Sequence, residues 1–122
     1  MTQSILALTL VLLSTNNLSG TWTGSLTDAE GGAGGAYLQL HEDGANITGV
    51  TGPSKDHTWP IKNAIYTGGH LSFTTTSIDS TSGAQSKWVF DLKVDSDRMT
   101  GTAEGSREGQ SWKMNMAVTR QK

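Results

Sequence analysis

Two groups of residues in this chain could build a chemical site: three histidines, His41, His57 and His70, and four tryptophans, Trp22, Trp59, Trp88 and Trp112. The histidines are the only imidazole metal ligands, and with no cysteine present thiolate sites are excluded. None of the three lies at a short metal-ligand spacing from another, so separate surface histidines are expected and no metal site. Nucleophilic catalysis needs a serine on a sharp turn and a carboxylate that orients a histidine; no G-x-S-x-G elbow occurs. The neighbouring acids Glu42 and Asp43, and Asp95 and Asp97, fall in predicted hairpin turns, where Asp is favoured for turn chemistry. Glycoside hydrolysis needs two carboxylates facing each other across a cleft, and the positions predicted to face inward hold no acid. Gly31 to Gly35 lacks the Lys-Ser/Thr and helix of a phosphate loop. The expectation is a protein without catalytic machinery or cofactor.

The tryptophans point to binding. Trp22, Trp88 and Trp112 share faces with Leu, Phe and Met, so inside a barrel they either line a pocket for an apolar or aromatic ligand or fill the lumen. Their volume, with Leu26, Leu38, Leu40, Ile47, Ile61, Leu71, Phe73, Phe90, Leu92, Met99, Met114 and Met116, is enough for a mostly filled core. Trp59 sits in a polar, Pro-containing segment with Lys55 and His57. There it is expected to be partly exposed, forming an outer aromatic platform with Tyr37 or Tyr66 for a sugar or a protein, or stapling a loop. The candidate ligand-binding residues are Trp22, Trp59, Trp88, Trp112 and Tyr37.

The elements that must position these residues are strands. From Leu18 to Leu26, Trp22, Gly24 and Leu26 alternate with Thr21, Thr23 and Ser25, the period of a half-buried strand. Its apolar–hydroxyl–Gly–β-branched motif, Leu18 to Thr21, recurs loosely as Ile47 to Val50 and Met99 to Thr102. A Gly inside such a pattern marks a bulge, a bend or a close backbone approach, as in a small sheet coiled onto itself. Thr27 to Gly35 reads as a loop; Ala36 to His41 and Asn46 to Thr51 are strands around an Asp43-Gly44 turn. His57 to Ile61 reads as a short strand that Pro60 confines to an edge or bulge. Asn63 to Thr67 and His70 to Ser77 flank Gly68-Gly69. Beyond the polar Asp79 to Gln85 lie Ser86 to Val94, Arg98 to Glu104 and Gln110 to Thr119, each alternating. About eight strands joined by short connections favour an all-β, up-and-down antiparallel barrel over a sandwich with Greek-key crossovers.

The chain has 122 residues, enough for one domain that buries a core without staples. Nine Lys and Arg oppose eleven Asp and Glu, with no basic stripe, which argues against nucleic acid and anionic membranes as partners. Fifteen Gly with two Pro and many Thr and Ser suit short strands and tight turns. Ile5 to Leu13 is an apolar run too short for a transmembrane helix, followed by polar Ser14 to Asn17. It resembles the core of a signal peptide, although no basic residue precedes it and no small-residue cleavage site follows. Residues 1–17 are therefore expected to be a signal peptide, residues 18–122 one barrel domain, and the location secreted or periplasmic. An additional strand, or a helix plugging the barrel end, is the alternative for that run. The sequons at Asn17 and Asn46 matter only in a eukaryotic secretory route, which is not favoured.

The chain after Leu18 resembles small secreted bacterial domains of the lipocalin-like, calycin type. The likeness is carried by Gly20-Thr21-Trp22-Thr23-Gly24, Leu38 to Gly49, Pro60-Ile61, Leu71-Ser72-Phe73 and Met99 to Thr102. It implies an eight-stranded lipocalin- or avidin-like barrel of unsettled function, with Trp22 closing one end near Arg120 of the last strand. Biotin-binding residues cannot be placed, so biotin is not implied. The expected function is non-catalytic binding of a small apolar or aromatic molecule at the barrel mouth. A protein-interaction, inhibitor or accessory domain of exported hydrolases, or carbohydrate binding through exposed aromatics, is the alternative.

Overall fold

The alternating segments become eight antiparallel strands in a computed structural model that describes residues 17–121. They are β1 (Gly20–Thr27), β2 (Ala33–Asp43), β3 (Asn46–Ser54), β4 (His57–Thr67), β5 (His70–Ile78), β6 (Gln85–Asp95), β7 (Arg98–Arg107) and β8 (Gln110–Arg120). Each pairs with its sequence neighbour and β8 returns to β1, which closes the barrel and leaves no edge strand among the described residues. The expected signal peptide, residues 1–17, with its rival readings, lies outside the described residues except for Asn17. Among the described residues no helix is long and apolar enough to cross a membrane.

Closure of so small a sheet requires neighbouring backbones to come unusually near. At Gly49 and Gly101, the glycines of the second and third motif copies, a Cβ would stand 1.9 Å from Gln39 O and 2.0 Å from Asp91 O. Only a residue without a side chain fits there.

Strands run longer than expected, most clearly in two places. β2 begins at Ala33, because Gly34 and Gly35 continue the ladder opposite Leu26 and Ser25. Residues 57–67 form one strand, because the register shift between Lys62 and Ile65, with Asn63 at φ 56, lets it continue. The bulge puts consecutive Lys62 and Asn63 outside, so Trp59 and Ile61 before it and Ala64 and Tyr66 after it all turn inward. Pro60 accordingly lies within a closed ladder opposite Val50, with a second register shift nearby between Thr51 and Ser54.

The core occupies one end of the barrel. Leu18, Trp22, Leu38, Leu71, Phe73, Leu92, Met99, Ala103 and Val118 are fully buried, with Leu40, Phe90 and Met116 close behind. Ile47, Leu26 and Trp88, all expected inside, are only partly buried, and Trp112 is 37% exposed. The lumen is thus filled at the end where β1 starts and β8 finishes, and open at the other.

Candidate ligand-binding site at the barrel mouth

The sealed end explains Trp22. Its ring is 0% exposed, its Nε1 donates to Leu18 O at 3.1 Å, and the Arg120 guanidinium lies 4.3 Å above it. Arg120 reaches this position because its backbone is opposite Trp22 in the β1–β8 ladder. Its Nε donates to Asp97 at 2.8 Å, its Nη1 to Ser19 O at 2.7 Å and its Nη2 to Asn17 O at 3.1 Å. Leu18 N–H donates to Glu42 Oε1 at 2.7 Å, and Glu42 N–H to Ser19 Oγ at 2.8 Å. The stack has the form that the G-x-W resemblance implies, and it removes Trp22 from any contact with the open end.

The open end holds a cavity of about 250 Å³. Met116, Leu26 and Ala36 line one side of it; Thr51, Trp59, Thr75, Trp88 and Phe90 line the other, with Gly52, Pro53 and Ser77 towards the rim. None of these side chains is ionisable. Strand parity brings them together: Thr51 pairs with Trp59, Thr75 with Trp88, and Phe73 with Phe90 across neighbouring strands.

The cavity's polar atoms are largely committed to the wall. Thr51 Oγ1 donates to Tyr37 O at 2.9 Å and Thr75 Oγ1 to Pro60 O at 2.7 Å. Trp88 Nε1 donates to Ser77 Oγ at 3.2 Å. A cavity whose threonine hydroxyl protons are already shared favours apolar surface away from the rim, since a polar ligand group meeting no partner keeps its full desolvation cost.

Aromatic rings run from the core to the rim. Phe73 stacks on Phe90 with centroids 4.6 Å apart, Phe90 faces Trp88 at 6.3 Å, and Trp88 meets Trp112 edge-on at 5.7 Å and 77°. Trp112 lies over Gly105, where a Cβ would come within 2.6 Å of the indole nitrogen. The rim indole therefore seats against bare backbone.

Of the five residues expected at a binding site, Trp59 and Trp88 line this cavity and Trp112 stands beside it at the rim. Trp22 is at the opposite end. Tyr37 alternates with inward Ala36 and Leu38 and so faces outward, while Tyr66 packs against the core; no platform of Trp59 with either tyrosine is assembled. Sequence reasoning missed Thr51, Thr75, Ser77 and Ala36 as cavity residues, although their parity with Leu38 and Phe73 carries the signal. His57 lies at the open end, whereas His41 and His70 lie at the sealed end. Among the described residues no group of three His, Asp or Glu side chains could hold a metal ion. No protein-family model, curated protein or solved structure matches the chain.

Proposed function

We propose that this protein is a non-catalytic binding module that takes a small apolar or aromatic molecule into the barrel mouth. One observation carries the reading: a cavity of about 250 Å³ whose lining holds three aromatic rings and no ionisable group. Apolar cavities of roughly 150 Å³ accept a benzene-sized guest, so this one suits a molecule of one or two rings. The eight-stranded barrel and the Trp22–Arg120 stack support a likeness to lipocalin-like secreted domains. With the apolar run Ile5 to Leu13, they support a place outside the cytoplasm. Intact mass of the exported protein tests that location.

The binding test is titration with methyl 2-naphthoate, a neutral two-ring aromatic, read by quenching of tryptophan. Saturable binding at one site is expected. Ala36→Leu, which places a larger side chain in the cavity, should weaken it more than tenfold while the fold persists. Tyr37→Ala, on the outer wall, should leave it unchanged. Binding that survives Ala36→Leu but is lost with Tyr37→Ala would overturn the cavity reading in favour of the outer surface.

A further inference from the structure

One cation at the mouth has no part in the reading above. Arg107 follows Ser106, the partner of Lys87, so it stands one rung further along the ladder, beside Ser86 and on the inner face. Ser86 is in turn the cross-strand partner of Ser77, which lines the cavity. Arg107, Ser86 and Ser77 thus form one row across β7, β6 and β5 at the rim.

This row is rich in donors. Arg107 Nε donates to Ser86 Oγ at 2.8 Å, and Ser86 is 3% exposed, so the guanidinium is anchored on a buried oxygen. Trp88 Nε1 occupies Ser77 Oγ in the same way. Each serine oxygen already accepts, while neither hydroxyl proton has an acceptor among the described residues. Arg107 Nη1 and Nη2 likewise make no hydrogen bond or ion pair there. Arg120, at the sealed end, has all three nitrogens engaged. The nearby Asp79 is not a substitute partner: its carboxylate accepts from Thr81 and Ser82 N–H at 2.8 and 3.0 Å and makes no ion pair with Arg107.

We propose that the ligand is an amphipathic carboxylate, its apolar body in the cavity and its carboxylate on Arg107 with the Ser77 and Ser86 hydroxyls. The proposal rests on the mouth being the ligand site. A planar carboxylate matches the two-pronged guanidinium edge. A more highly charged head is disfavoured, because one arginine faces it while Asp79 and Glu108 stand close in the adjoining loop and turn.

The test compares 2-naphthoic acid with its methyl ester, read by tryptophan quenching at neutral pH. In the natural chain the acid should bind roughly three- to tenfold tighter, an advantage that shrinks at high salt. Arg107→Gln should reduce the acid to the affinity of the ester and leave the ester unchanged. An ester that binds as tightly as the acid, or an advantage that survives Arg107→Gln, overturns the carboxylate assignment while the cavity reading stands. Failure of both probes to bind overturns the cavity reading and this proposal with it.

Discussion

At residue scale, the two ends of the barrel treat their polar groups in opposite ways. Arg120 is fully tied: a cation–π stack on Trp22, a bond to Asp97, and two main-chain carbonyls of the segment that caps the core. Arg120→Lys keeps the charge but loses the fork, leaving at least one carbonyl unpaired. It should lower stability by about 1–3 kcal/mol in urea denaturation without changing ligand affinity. Thr75 belongs to the other end, where its hydroxyl is spent on Pro60 O. Thr75→Val preserves the shape and strands that carbonyl, which should cost about 1–2 kcal/mol in the same assay. Trp88 was legible from sequence because it alternates with Phe90 and Leu92. Trp112 has the same parity, but alternation carries no information on height within the barrel. The structure puts it where the strand outruns the core. Trp59 is half-buried, in keeping with the expected partial exposure, but lines the cavity instead of an outer platform; its His, Lys and Pro neighbours look solvent-facing, and a bulge three residues on hides its kinship with Ala64 and Tyr66.

At the scale of elements, period-two alternation and the Asp-Gly and Gly-Gly turns made seven strands readable, and β4 was readable only in halves. The register shift against β5 is the reason, since it adds a residue to β4 that breaks the count, whereas the shift against β3 adds its extra residue to β3. Irregular pairing also weakens the ladder, and Pro60 contributes no N–H to it. Backbone amides of β4 should therefore exchange with deuterium faster than those of β6 and β7, which pair with each other without interruption. The loop after β5 behaves differently. Asp79 is drawn below the usual carboxylate range first by the Ser82 and Thr81 N–H groups, with the Arg107 charge adding to the effect. A carboxyl whose pKa is depressed by folding stabilises above its unfolded value and loses that contribution as pH falls through the lowered one. The Thr81 and Ser82 amide resonances should accordingly report a midpoint below that of a free Asp.

At the scale of the whole molecule, closure makes the barrel sensitive to backbone spacing. Gly101→Ala puts a methyl against Asp91 O and forces β6 and β7 apart. Because the circle has no free edge to absorb the displacement, loss of cooperative thermal unfolding is the expected outcome, whereas the same change at exposed Gly34, where a Cβ meets nothing within 4 Å, should be tolerated. Occupancy of the mouth should act in the other direction. Ligand at a hundred times its dissociation constant adds about 2.7 kcal/mol to the folded state, visible as a rise in Tm that is absent from Ala36→Leu.

The Arg120 clasp has a consequence for how the molecule is presented to its surroundings. It binds the carbonyls of Asn17 and Ser19, so the first and last described residues leave the barrel side by side, at the pole opposite the cavity. Whatever continues from Asn17 or Gln121 thus leaves from the base of a cup, whose opening lies at the opposite pole. A short peptide bridging Asn17 and Gln121 would make the barrel domain circular without obstructing that opening, and new ends could then be cut into the Gly68-Gly69 turn at the same pole.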